Sequence, residues 1–166
     1  MKGVAFRIQE MRLEDLEEVL RIETASFSQP WTREMFRAEL RPGISLALVV
    51  RSEGAGGEVL GYLCGWIVCD EFHINNVAVE PKYRQQGIGK RLMLEALTRA
   101  VQRGARTASL EVRASNLIAQ EVYRRLGFTV VGRRRRYYTE PVEDALIMRR
   151  DRLKDLLDLN LRGKKA

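Results

Sequence analysis

Cysteine and histidine are nearly missing from this chain: 166 residues hold two cysteines and one histidine. Two thiols, Cys64 and Cys69, build neither a disulfide framework nor a four-ligand zinc site. Their i,i+5 spacing sends them to opposite faces if the segment is a strand, and they read as buried, reduced thiols. The single imidazole, His73, leaves no histidine cluster for a metal. Prolines number four and aromatics make up 7% of the chain, and no repeat or low-complexity linker is visible. No apolar run approaches the roughly 20 residues of a membrane span. The stretch Met1–Arg7 carries charge but no apolar core, so it does not read as a secretory signal. These absences point to the cytoplasm.

What is present is an ordinary globular composition, 45% hydrophobic and 31% charged, long enough for one domain with a real core. The net charge is +7. Residues 131–166 hold 11 basic and 6 acidic side chains, so most of the excess sits in Arg133–Arg136 and in the tail ending Arg162-Gly163-Lys164-Lys165. Such asymmetry suggests an anionic partner.

Periodicity predicts the elements. Val4–Ile8 alternates like a strand. Leu13, Leu16, Leu20, Glu23 and Phe27 follow helical spacing, with acidic residues crowding the first turn, where the helix dipole favours them. Thr32 is placed to cap a short helix through Leu40. Ile44–Arg51 and Glu58–Asp70 read as a hairpin around a glycine-rich turn, and His73–Val79 as a further strand. Gly87–Arg103 carries an apolar stripe of Ile88, Leu92, Ala96 and Ala100, ended by Gly104. Thr107–Val112, a helix from Ser115 or Asn116 to Leu126 with Gly127 beyond it, strands at Phe128–Val131 and Ala145–Met148, and a helix over Arg150–Leu161 complete the chain. The order β α α β β β α β α β β plus a final helix predicts a mixed α/β fold, neither doubly wound nor a sandwich.

The stretch Asn76–Lys90 carries the chemistry. A strand ends at Val79, a strong helix starts near Gly87, and the loop between has Gly87 and Gly89 with basic neighbours. Glycines allow close backbone approach, and the first N–H groups of a helix lack intrahelical partners and favour anions. This is a seat for a phosphate or pyrophosphate. It matches neither G-x-x-x-x-G-K-[ST], since Arg91 follows Lys90, nor G-x-G-x-x-G, since Leu92 stands third. R-Q-Q-G-I-G, running from Arg84 to Gly89, instead resembles the R/Q-x-x-G-x-G/A loop of the GNAT superfamily of acetyl-CoA-dependent N-acetyltransferases, and the element order resembles that family along nearly the whole chain. Pro30-Trp31-Thr32, Asn76–Lys90, Leu110–Asn116, Tyr123–Phe128 and Arg136-Tyr137-Tyr138 with Glu143–Met148 resemble its RimI type, which acetylates the N-terminal alanine of a small-subunit ribosomal protein.

The resemblance implies a mixed, mostly antiparallel twisted sheet flanked by helices, with one catalytic domain over residues 1–150 and a helix and basic tail over 151–166. It implies that the main chain of Val77, Ala78 and Val79 pairs with the pantetheine arm of acetyl-CoA as an added strand. Gln85, Gln86, Gly87, Ile88, Gly89 and Lys90 would hold the pyrophosphate. Asn116 suits a hydrogen bond to the cosubstrate and suits a helix cap equally well. Glu111 is implied as general base and Tyr123 as general acid. Without the resemblance, a strand-end Glu reads as an ion-pair partner and a helical Tyr as core. Trp31, Tyr137 and Tyr138 are candidate walls for the acceptor, and Trp31 also fits a core plug. Glu23, Asp70 and Glu71 could attract a cationic peptide.

The chemistry is coherent. An α-amino group has a pKa near 8 and a lysine amine near 10.4, a gap of roughly 2.5 units or about 3.5 kcal/mol, so a carboxylate serves a protein N-terminus more easily than a lysine. Neither cysteine has a visible base, so direct attack in a ternary complex is expected. The expected partners are acetyl-CoA and a protein N-terminus bearing alanine or another small residue, with neither a metal, a membrane nor a nucleic acid required. A small-amine acetyltransferase and a non-catalytic basic module that binds ribosome or RNA, motivated by Arg133–Arg136, are the competing readings.

Overall fold

The computed structural model describes residues 3–163, with side chains to residue 158. Lys164 and Lys165 of the basic tail, and the Arg162 side chain, lie outside the described residues. The elements follow in the order β1 (Phe6–Glu10), a 3-10 turn (Leu13–Asp15), α1 (Leu16–Ser26), α2 (Arg33–Glu39), β2 (Ser45–Ser52), β3 (Val59–Val68), β4 (Glu71–Val79), a 3-10 turn (Pro81–Tyr83), α3 (Ile88–Gln102), β5 (Thr107–Arg113), α4 (Leu117–Arg125), β6 (Thr129–Thr139), β7 (Val142–Arg150) and α5 (Leu153–Gly163). The fold is the expected mixed α/β arrangement: a seven-stranded, mostly antiparallel sheet in the order β1-β2-β3-β4-β5-β7-β6, flanked by helices. Among the described residues no helix is long and apolar enough to cross a membrane.

The chain forms two compact units, one from residues up to Trp66 plus Asn75–Ala96, the other from Ile67–Ile74 plus Leu97 onward. In the first, β1, β2 and β3 run antiparallel, with Ile8 opposite Val50 and Val49 opposite Tyr62. The stripe on α1 is Leu16, Val19, Ile22 and Glu23, all buried. Its apolar members join Phe36, Val49 and Tyr62 in one core, where the Phe36 ring meets Tyr62 edge-on at 5.6 Å. Asp15 is buried beside Arg51, which pairs with it, and it accepts the Arg12 N–H at 2.8 Å.

In the second unit, Glu71–Ile74 of β4 lie parallel to Thr107–Leu110 of β5. β5 pairs antiparallel with β7, and β7 with β6. Helices α3 and α4 end alike. The Gly104 N–H donates to Val101 and the Ala105 N–H to Ala100; the Gly127 N–H donates to Arg124 and the Phe128 N–H to Tyr123. Both glycines have positive φ, 95° and 84°. This is the paired-bond termination that needs a left-handed residue after the helix.

Some expectations shift. β3 stops at Val68 and β4 starts at Glu71, because Cys69 turns the chain at φ 55°. Cys64 is buried, but Cys69 is exposed, so the reading of two buried thiols holds for one only. β6 runs from Thr129 to Thr139, well past the expected Val131 and through the whole arginine run.

Candidate active site

The first unit holds the glycine loop. Leu60 accepts the Glu80 N–H at 2.8 Å where β4 ends, a 3-10 turn follows, and Gln85 and Gly87 take φ values of 62° and 81°. These left-handed residues swing the chain into α3, whose first residue, Ile88, is buried while Gln85, Gln86, Gly87 and Lys90 are exposed. A Cβ at Gly87 would meet nothing, so its backbone conformation, not space, calls for glycine. A helix start preceded by these exposed residues, with the Lys90 side chain, suits an anionic diphosphate. Arg84 is committed elsewhere: its guanidinium donates to the Val79 carbonyl and to Ser26 Oγ, both at 2.9 Å, tying the loop to β4 and α1. Along β4, burial alternates strictly. Asn76 and Ala78 are buried, and His73, Asn75, Val77 and Val79 share the other face.

Trp31 takes the core place that its sequence also allowed. Its indole packs on the core 5.2 Å from Phe36 yet stays partly exposed. Its backbone N–H donates to Glu23 Oε1 at 2.9 Å, while Glu23 Oε2 accepts from Asn76 Nδ2 at 2.9 Å and from the Tyr62 hydroxyl. Glu23 is therefore a buried hub, 1% exposed. It offers nothing to an incoming cationic peptide, contrary to expectation. Its work is to fix the segment entering Trp31 against β3 and β4.

The second unit holds the implied acid–base residues. Glu111 on β5 lies 3.0 Å from His73 Nε2 and 3.7 Å from Arg134 Nε. The hydrogen bond with His73 holds the Glu111 carboxyl below the usual carboxylate range, against the opposing effect of burial. The same bond raises His73 above an ordinary histidine. His73 Nδ1 is 3.1 Å from Ser109 Oγ, and Ser109 donates to Glu71 Oε1 at 2.8 Å. Glu71, like Glu23, is thus engaged internally.

Tyr123 sits in the last turn of α4 and is buried. Burial, then the nearby Tyr138, pushes its hydroxyl up to about 12. Its carbonyl accepts the Phe128 N–H, and its ring rests 6.1 Å from Phe128, so the helix terminus itself fixes this residue. Tyr138 is half-buried under the Arg113 guanidinium, 4.1 Å from the ring centroid, and stands edge-on to the exposed Tyr137 at 5.1 Å. Burial, then Tyr137, pushes Tyr138 up to about 12, and the Glu111 charge contributes. Asn116 caps α4, its Oδ1 accepting the Ala119 N–H at 3.2 Å. The structural role of the two open for this residue is thus occupied.

The second unit therefore gathers Glu111, Tyr138 and the His73 chain, and the first gathers the loop, Val77–Val79 and Trp31. Sequence reasoning missed His73, Ser109 and Arg134 around Glu111, and Asn76 and Tyr62 around Glu23. A signal existed for His73 alone: it alternates in phase with Val77 and Val79.

Residues 16–128 match the model of the acetyltransferase (GNAT) family. A Bacillus subtilis (strain 168) protein provisionally named ribosomal protein bS18-alanine N-acetyltransferase is 42% identical over 142 residues, covering 85% of this chain and 92% of that one. The crystal structure of the ribosomal-protein-S18-alanine N-acetyltransferase from Escherichia coli superposes with a TM-score of 0.80 at 32% identity, covering 89% of this chain and 94% of that one. The structure of Ard1 from Thermoplasma volcanium matches with a TM-score of 0.80 at 28% identity, covering 89% and 98%.

Proposed function

The chain belongs to the GNAT acetyltransferase family, and from that premise we propose that it transfers the acetyl group of acetyl-CoA to the N-terminal amine of a small-subunit ribosomal protein beginning with alanine or another small residue. The observation that carries this reading is the similarity, over 85% of the chain, to a protein named for that acceptor. The site of action is the cytoplasm, where new ribosomal proteins appear, and residues 1–150 are the catalytic domain. The loop Gln85–Lys90 receives the diphosphate, and the main chain of Val77–Val79 receives the pantetheine arm. Exposed residues Gln85–Gly87 leading into a helix start, and a left-handed glycine, support that assignment.

Glu111 takes the proton from the acceptor ammonium, freeing the lone pair that attacks the thioester carbonyl. Its ionised state at neutral pH, held by His73, supports this role. Tyr123 donates to the departing sulfur. With its hydroxyl pushed up to about 12, it stays protonated throughout the working range, and a phenolate formed at that value recovers a proton at once from the nitrogen that sheds it. Trp31, Tyr137 and Tyr138 line the acceptor.

Mass spectrometry of alanine-initial peptides and of small amines incubated with acetyl-CoA tests the reading. Peptides are expected to gain one acetyl group at the α-amine. Glu111→Gln and Tyr123→Phe are each expected to lower kcat by about 10²–10⁴. Faster acetylation of polyamines or antibiotics than of peptides would replace the acceptor, and unchanged rates in both variants would remove the assigned roles.

A further inference from the structure

His73 and Glu111 form a pair whose hydrogen-bonding logic goes beyond a lone carboxylate base. Ser109 has one hydroxyl proton. A carboxylate only accepts, so that proton goes to Glu71, 2.8 Å away. The Ser109 oxygen is then the acceptor for His73 Nδ1–H at 3.1 Å. Nδ1 therefore keeps its proton in both ionisation states, and Nε2 is the nitrogen that gains or loses one. Nε2 points at Glu111 Oε2 across 3.0 Å. Without a proton between them, a lone pair faces an anion, and the pair as a whole becomes more basic than a carboxylate alone.

We propose that Glu111 and His73 act as one proton acceptor, with the imidazole Nε2 as the atom on which the acceptor amine's proton comes to rest. This rests on the reading of Glu111 as the base, and His73 acts through it as a positioning residue. An N–H bond of the ammonium breaks, and its electron pair stays on the nitrogen that attacks the thioester. The proton bonds to the Glu111 carboxylate and passes to Nε2, leaving an imidazolium beside a carboxylate. The His73 side chain, 38% exposed, then returns the proton to water.

The gain is one of matching. A proton moving from an α-ammonium near 8 to an ordinary carboxyl is opposed roughly 3000-fold, whereas an acceptor at or above the ordinary histidine value of about 6.5 is opposed roughly thirtyfold or less. The groups facing His73 are Glu71 on its own strand, Ser109 and Glu111 on β5, and Arg134 on β6, whose charge opposes that of the imidazolium. Beyond them, Glu71 and Asp70 act on Arg149 of β7, and Glu111 acts on Tyr138.

His73 is the chain's single histidine, so imidazole ¹⁵N NMR of the labelled protein needs no assignment. The expected spectra show a neutral form protonated on Nδ1, titrating above the ordinary value, and titrating lower in Glu111→Gln and in Ser109→Ala. In kinetics with an alanine-initial peptide, any limb due to the amine itself cancels in the ratio of wild-type kcat to His73→Gln kcat. That ratio is expected to climb with pH through the NMR-measured value to about ten. A flat ratio, or a neutral form protonated on Nε2, overturns the proposal while peptide acetylation stands. A wild-type protein that acetylates no peptide overturns the reading beneath it, and the proposal with it. Ser109→Ala keeps the ring in place should His73→Gln fail to fold, and is expected to move the wild-type limb to lower pH; an unmoved limb counts against the proposal.

Discussion

Gly127 and Gly104 close two helices with the same hydrogen bonds, yet their surroundings differ, and that difference sets a quantitative test. A Cβ at Gly104 would meet nothing, whereas one at Gly127 would overlap the Arg150 guanidinium, lying 2.7 Å from Cζ and 3.1 Å from Cδ. Alanine at either position pays a left-handed backbone cost of roughly 1–2 kcal/mol, reduced by the narrower unfolded ensemble, which leaves about 1 kcal/mol. At Gly127 the Arg150 side chain must also leave, giving up its bond to the Leu126 carbonyl at 3.3 Å. Losing a hydrogen bond from a charged donor costs about 1.5–3 kcal/mol. The sum for Gly127→Ala is about 3 kcal/mol. For a chain of this size, calorimetry should show Tm falling by roughly 6–12 °C for Gly127→Ala and by roughly 2–4 °C for Gly104→Ala. In an Arg150→Ala background the two glycine substitutions should cost the same, since the obstructing group is gone. Equal drops in the wild-type background would refute the reasoning, because Arg150 would then be swinging clear at no cost. The comparison bears on activity as well. The Phe128 N–H bonds the Tyr123 carbonyl, so a disturbed terminus misplaces the proposed proton donor, and kcat should fall in protein that is still folded.

Glu23→Gln should cost about 2–4 kcal/mol, seen as a loss of roughly 4–16 °C in Tm, because an amide turns a donor toward one of the three donors that the buried carboxylate now satisfies; Tyr62→Phe removes one bond and should cost about half as much. The His73–Glu111 pair makes stability pH-dependent. The lowered carboxyl contributes above its unfolded value of 4.5 and loses that as pH falls through the folded value, whereas the raised imidazole contributes fully below 6.5 and loses that as pH rises through its folded value. The Tm difference between wild type and His73→Gln should therefore be widest between these two values and shrink above, and a difference constant from pH 5 to 9 would refute it.

Local rules carried most of the fold. Helical spacing and glycine terminators placed α3 and α4, and Thr32 caps α2 by accepting the Met35 N–H at 3.2 Å. The fate of the arginine run could not be read locally. Four consecutive cations look like a free basic patch or a solvated strand, and the choice depends on residues some ten positions later. In the fold β6 lies along β7, where Asp144 pairs with Arg133 at 2.9 Å and accepts the Arg136 N–H, while Arg134 approaches Glu111. Two of the four cations thus answer acids of their own sheet, which weakens the case for an RNA-binding patch. Glu23 was invisible for a related reason. Its place on the apolar stripe of α1 was plain, but its three donors come from a loop, β3 and β4, and no spacing rule links them. His73 fell to a rule applied too broadly: one histidine cannot build a metal cluster, yet one is enough to share a proton with a carboxylate on the next strand.

That pairing places two demands on one proton. With the proton on Nε2, the imidazolium and the Glu111 carboxylate attract across 3.0 Å and hold β4 to β5. Without it, the lone pair faces the anion and the pair becomes the stronger base. The state that stabilises the strands is therefore not the state that accepts a proton from the amine. Ser109 and Glu71 favour the protonated form and raise the cost of emptying the pair. Arg134 favours the empty form, because it repels the imidazolium. Neutralising Arg134 should therefore move the imidazole titration upward and drive the acid limb of kcat to higher pH. Neutralising Glu71 should do the reverse. In each variant the imidazole titration and the acid limb of kcat should move together, because one proton governs both; an imidazole that shifts while the limb stays in place would separate His73 from the base.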